Sequence, residues 1–157
     1  MQTARSTQAT RIARGFTLIE ILIVVIILGI LAAIVIPQFT SASQDARKSS
    51  LVSMLQGLRS QIQLYKLQHG DELPDLTNAT NPWAPLMTTS TYNGKTFGPY
   101  MQTTPVNPLN QLSAVVNGNG TAAAGSDCGF IYDYGTAGNG TGRMWGTDTD
   151  SKAVAPY

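Results

Sequence analysis

Charge is scarce in this 157-residue chain: 12% of residues are Asp, Glu, Lys or Arg, against about 25% in ordinary soluble domains. Cysteine is nearly absent. Cys128 stands alone, so no intramolecular disulfide can form, and burial as a small apolar side chain is the reading favoured over an intermolecular bridge. His69 is the only histidine, without companions for a metal or nucleophilic set, and is expected to cap a helix C-terminus. No acid occurs in the first 15 residues, where Arg5, Arg11 and Arg14 are found; the remainder is slightly acidic. A basic surface for tracking phosphates is therefore missing, which argues against nucleic-acid binding. There is no Ser/His/Asp arrangement, phosphate loop or recognisable carboxylate pair, so no enzyme is expected.

The run that is present is Ile21 to Ile36, sixteen residues without a charge or a polar side chain. Counted from Phe16 it extends to 21 residues, about 31 Å as a helix and close to the ~30 Å hydrocarbon core of a bilayer. A basic, Ser/Thr/Gln-rich leader precedes it, which places the N-terminus in the cytoplasm and the C-terminal part outside. Glu20 lies inside the apolar segment. A carboxylate there is costly and calls for a partner, with Arg14 as a local candidate.

Gly15-Phe16-Thr17-Leu18-Ile19-Glu20, after a basic leader and before the apolar run, resembles the processing site of type IV pilins and of the pseudopilins of type II secretion. The likeness is strongest over residues 11 to about 50. It implies cleavage between Gly15 and Phe16 by a prepilin peptidase, N-methylation of Phe16, and a role for Glu20 in subunit assembly. Pro37 falls where these proteins carry a helix-bending proline, and Gly29 is a second weak point. The partners implied are the peptidase, identical subunits in a filament, and an inner-membrane assembly platform with its ATPase motor. The implied location is the bacterial inner membrane, single-pass with the head outside, and then a periplasmic filament.

From Ser43 the pattern becomes one-sided. Leu51, Leu55, Leu58, Ile62 and Tyr65 recur at spacings of 4, 3, 4 and 3, and His69-Gly70 supplies a terminator. Three regions are expected: residues 1–15 as a removable leader, 16–70 as one long bent helix (16–36 apolar all round, 43–69 amphipathic), and 71–157 as a small head. The head has 11 Gly and 7 Pro in 87 residues, a composition for short strands and turns. Asn93-Gly94 marks a hairpin between Thr91-Tyr92 and Lys95–Phe97. Leu112–Val116, Gly129–Tyr134 and Arg143–Trp145 are the other strand candidates, read as an antiparallel meander. The fold class is α+β and pilin-like, with the leucine stripe packed on that sheet.

Asp127, Asp133, Asp148 and Asp150 are candidate Ca²⁺ ligands, because the resemblance to major pseudopilins suggests one, but their spacing fits no EF-hand loop and solvated turn acids are the favoured reading. No cofactor or metal is therefore expected. Three Asn-x-Thr sequons at Asn78, Asn119 and Asn139 read as turn chemistry, and Trp83 and Trp145 as packing. A subunit of a type II secretion pseudopilus is the function implied. A surface type IV pilin is the alternative, and a membrane-anchored periplasmic binding module the third.

Overall fold

The apolar run and the leucine stripe belong to one helix. A computed structural model describes residues 15–78, 80–120, 127–136, 138–148 and 153. Helix α1 is Leu18–Gln68, 51 residues, and includes both Gly29 and Pro37. The chain divides into two units, Met1–Ser41 and Ala42–Tyr157.

In the first unit every described side chain is exposed. Leu18 to Ile36 is about 29 Å of helix, and this is the one helix among the described residues long and apolar enough to cross a membrane. Pro37 has no N–H to donate within the helix. Directly after it, Thr40 Oγ1 donates to the Ile36 carbonyl (3.1 Å) and Ser41 Oγ to the Pro37 carbonyl (3.2 Å).

The second unit has a real core. Leu51, Leu55, Leu58 and Ile62 are buried on one face of α1, and Tyr65 continues that face half-buried. They cluster with Leu73, Leu76, Trp83, Leu86, Phe130, Tyr132 and Met144. The helix ends as a Gly-terminated helix should. Gly70 takes φ +65°, and the Asp71 N–H turns back to the Lys66 carbonyl at 2.9 Å. A short helix α2, Ala84–Met87, starts with Pro85 in its first turn.

Strands β1 (Ser90–Tyr92) and β2 (Lys95–Phe97) form the hairpin expected around Asn93-Gly94, whose φ angles of +49° and +76° suit a two-residue turn. The other three strands are β3 (Val115–Asn117), β4 (Phe130–Tyr132) and β5 (Met144–Gly146), in the order β3-β4-β5. Here the expected meander is wrong. β4–β5 is antiparallel, but β3–β4 is parallel, with Val115 opposite Phe130 and Asn117 opposite Tyr132. Residues 118–129 are enough for the dozen-residue crossover that a parallel pair needs, although their Gly/Asn content suggested a turn-back. β3 also starts later than expected, because the Leu112 carbonyl accepts the Asn107 N–H in a loop bond.

β4 is buried on both faces. Phe130 and Tyr132 join the helix-side cluster, whereas Ile131 packs with Cys128 and Trp145. Gly146, opposite Phe130, leaves room for the helix: a Cβ there would lie 2.6 Å from Leu51 Cδ2. One polar atom is left over. The Tyr132 hydroxyl is buried and has no hydrogen-bond partner among the described residues. Burial first, and then nearby Tyr134, Asp133 and Asp75, push its ionisation well above the ordinary phenol value of 10.0.

Two predictions follow from this core. Ile62→Ala should cost about 2–5 kcal/mol in chemical denaturation of the detergent-solubilised chain. Tyr132→Phe should stabilise it by about 1 kcal/mol at neutral pH, since it removes an unsatisfied buried hydroxyl. In the wild type the folded state keeps the phenol protonated and the unfolded chain releases the proton first. Stability is therefore unaffected below pH 10 and falls above it. The phenylalanine variant should lose that part of the alkaline decline; equal slopes for the two proteins would contradict the burial argument.

Candidate functional site

Gly15 and Phe16 lie just before the first turn of α1, and Phe16 is 81% exposed. A Cβ at Gly15 would meet nothing within 4 Å. Nothing among the described residues therefore gives a steric reason for glycine at this position.

Thr17 caps the helix. Glu20 N–H donates to Thr17 Oγ1 (3.3 Å), while the Thr17 N–H and hydroxyl both donate to Glu20 Oε2 at 2.8 Å. This is a reciprocal capping box, threonine and glutamate three apart. The Ile21 N–H reaches back to the Thr17 carbonyl at 3.4 Å. Glu20 thus has a partner within its own chain. Thr17-Leu18-Ile19-Glu20 carries the signal for it, and the partner is a hydroxyl and an N–H rather than the charged group expected. Arg14 and the rest of the leader lie outside the described residues.

The remaining candidates are structural in their geometry. His69 is buried, stacked on Tyr65 with ring centroids 3.9 Å apart. Its Nδ1–H donates to the Tyr65 carbonyl (2.9 Å) and Nε2 pairs with Ser90 Oγ (2.7 Å). The Nδ1 bond caps the last turn of α1, as expected, and the Nε2 bond ties that end of the helix to the first hairpin. Trp83 is buried edge-on to Phe130, and its indole N–H donates to the Ser113 carbonyl at 2.8 Å. Trp145 packs in the second cluster, with the Arg143 guanidinium 5.4 Å from its ring. Cys128 is buried, as favoured, and burial pushes its thiol pKa up.

Among the described residues no three His, Cys, Asp or Glu side chains are placed to hold a metal ion. Asp133 Oδ2 accepts instead from the Thr141 N–H and hydroxyl, and Asp150 lies outside the described residues. Of the sequons, Asn78 accepts from the Thr80 N–H (2.9 Å) and Asn139 from the Thr136 N–H (2.8 Å), both as turn chemistry.

Sequence reasoning missed Asn107 and Asn110. Asn107 is fully buried, and its amide donates to the Gly129 and Thr147 carbonyls at 2.7 Å each. Asn110 donates to the Cys128 carbonyl and Thr147 Oγ1, both at 2.9 Å. Together they pin the segments that lead into β4 and out of β5. Asparagine in a Pro-rich loop gives no distinctive sequence signal for such long-range bonds.

Residues 10–36 match the family model of the prokaryotic N-terminal methylation motif. The type II secretion system core protein G of Dickeya chrysanthemi is 45% identical over 56 residues, 36% of this chain and 37% of that protein. Its namesake in Escherichia coli K12 is 39% identical over 62 residues, 40% of this chain and 43% of that protein. The type IV major pilin protein PilE of Neisseria gonorrhoeae is 39% identical over 66 residues, 42% of this chain and 40% of that protein. The matched region thus spans about two fifths of the curated relatives' length. No solved structure matches.

The capping box makes a direct prediction. Thr17→Ala should cost about 1 kcal/mol of local helix stability and speed amide exchange at Glu20 and Ile21, whose N–H groups bond to Thr17, roughly fivefold in micelles. Thr17→Ser should leave exchange near wild type. Unchanged exchange in the alanine variant would mean the cap does not hold the helix start.

Proposed function

We propose that this chain, whose N-terminal segment carries the methylation motif of the type IV pilin and pseudopilin family, is a structural subunit of a pseudopilus filament that drives protein export in type II secretion. The observation that carries the reading is the motif match over residues 10–36, coincident with an exposed Gly15-Phe16 junction directly before an apolar helical segment in which no described side chain is buried. On this reading a prepilin peptidase cuts after Gly15 and methylates the new amine of Phe16. The subunit waits in the bacterial inner membrane with its head outside, until an assembly platform and its ATPase motor add it to the filament. Gly29 and Pro37 let the intervening helix bend or loosen during that transfer. No cofactor takes part.

Glu20 has two successive roles in this scheme. Before assembly Thr17 satisfies its carboxylate, which reduces the cost of holding an acid in lipid. In the filament the cationic amine of a neighbouring Phe16 replaces those neutral donors, because a charge-assisted bond is the stronger. Lipid tails are about as apolar as leucine, so hydrophobicity alone favours the filament little. The charge pair and helix packing supply the preference. A surface type IV pilin is the second reading, favoured by the similarity to the gonococcal pilin.

Two variants test the scheme in the native host. Gly15→Leu should leave the chain at its precursor mass by mass spectrometry of the N-terminus. Glu20→Gln should still be processed, yet give roughly ten- to hundredfold fewer filaments. Normal processing of the first variant, or wild-type filament yield from the second, would reject the corresponding step. Quantitative proteomics of a deletion strain separates the two readings. Loss of exported enzymes with surface fibres intact marks a pseudopilus, and an unchanged supernatant marks a surface pilin.

A further inference from the structure

Asn-Gly occurs four times, at Asn93-Gly94, Asn117-Gly118, Asn119-Gly120 and Asn139-Gly140. The pair carries a reactivity of its own. The glycine nitrogen, unshielded by a side chain, can attack the asparagine amide carbon and close a five-membered imide ring. Folding decides which pair is free to react. The attack needs an unengaged nitrogen, a free side-chain amide and room to turn.

Two of the pairs are locked. The Gly118 N–H donates to the Tyr132 carbonyl at 3.0 Å. Asn117 uses both ends of its amide, donating to the Gly135 carbonyl (2.9 Å) and accepting from the Tyr134 N–H (3.1 Å). The Gly140 N–H donates to the Tyr134 carbonyl, and Asn139 Oδ1 accepts from the Thr136 N–H, both at 2.8 Å. Asn119-Gly120 borders residues outside the described ones.

Asn93-Gly94 differs on each count. Both residues are exposed, and neither the Asn93 amide nor the Gly94 N–H has a hydrogen-bond partner among the described residues. A Cβ at Gly94 would meet nothing within 4 Å, so the surroundings leave room for the ring. To react, Asn93 must leave its turn conformation at φ +49°. Its place favours that. The pair forms the tip of a sheet with only two strands, each of three residues, and such hairpins open easily. The base is held better, by Ser90 on His69 and by Tyr92 and Phe97, each with its ring 5.6 Å from the imidazole.

We infer that Asn93 is a site of spontaneous deamidation, where the hairpin tip turns to aspartate and isoaspartate while Asn117 and Asn139 are spared. The Gly94 nitrogen gives its proton to base and bonds to Asn93 Cγ, and the side-chain nitrogen leaves as ammonia. Water then adds to one of the two ring carbonyls. Opening on one side gives aspartate, and on the other isoaspartate, whose main chain runs through the extra methylene. The two steps need only base and water. Either product adds a negative charge. Isoaspartate also lengthens a two-residue turn closed by Tyr92 opposite Lys95, which disrupts the hairpin.

The test incubates the detergent-solubilised full chain in mildly alkaline buffer made with oxygen-18 water, and follows each asparagine by peptide mapping and mass spectrometry. In the folded chain Asn93 should convert roughly tenfold faster than Asn117 or Asn139. Its products should be aspartate and isoaspartate, each with one labelled oxygen. In concentrated guanidinium chloride the three sites should convert at similar rates, because the dipeptide is the same and the hydrogen bonds are gone. An unchanged Asn93, or equal rates in the folded chain, would overturn the inference. So would the same rate difference in denaturant, which would trace it to flanking residues instead of the fold. Aspartate without isoaspartate would indicate direct hydrolysis and reject the ring.

Discussion

An apolar helix that buries nothing in its own unit has to be covered by something else. Ile21, Leu22, Ile23 and their neighbours to Ile36 remain about half exposed although the segment is regularly helical. The backbone is satisfied internally, so the segment can enter lipid without stranding a peptide group. Its side chains gain nothing by folding alone. Every functional reading of this protein has to supply a cover, whether lipid, other copies, or first one and then the other.

That constraint gives Glu20 its interest. A carboxylate at the head of such a segment is a liability in lipid and an opportunity in an assembly. The capping box meets the first condition with groups the chain already owns, Thr17 N–H and Oγ. It also keeps the acid at the helix start, where, on the proposed reading, the amine of a neighbouring subunit competes for it. The same three-residue spacing therefore starts the helix and stores the charge.

The head solves a different problem. It is small, glycine-rich and without a disulfide, and the five strands among its described residues are only three residues long each. The leucine face of α1 supplies much of its core, and Gly146 lets Leu51 approach the sheet. Asn107, Asn110 and His69 hold the loops by hydrogen bonds that would otherwise be left to longer strands. The Tyr132 hydroxyl, without a partner among the described residues, is the exception to this economy.

Local pattern was enough wherever a feature depends on neighbours in sequence. The apolar run, the spacing of Leu51, Leu55, Leu58 and Ile62, the Gly70 terminator and the Asn93-Gly94 turn are all written within a few residues, because helix period and backbone sterics act at that range. Thr17 and Glu20 were equally legible, three positions apart, once a hydroxyl was admitted as the partner. Strand direction in the β3–β4 pair was not. It depends on the path of residues 118–129, which no period or turn residue encodes, and so the parallel pairing emerged only with the fold. Asn107 and Asn110 belong to the same class, since their partners lie 18 to 40 positions away. Hydrogen bonds over such separations are set by packing, and packing is what only the tertiary structure decided.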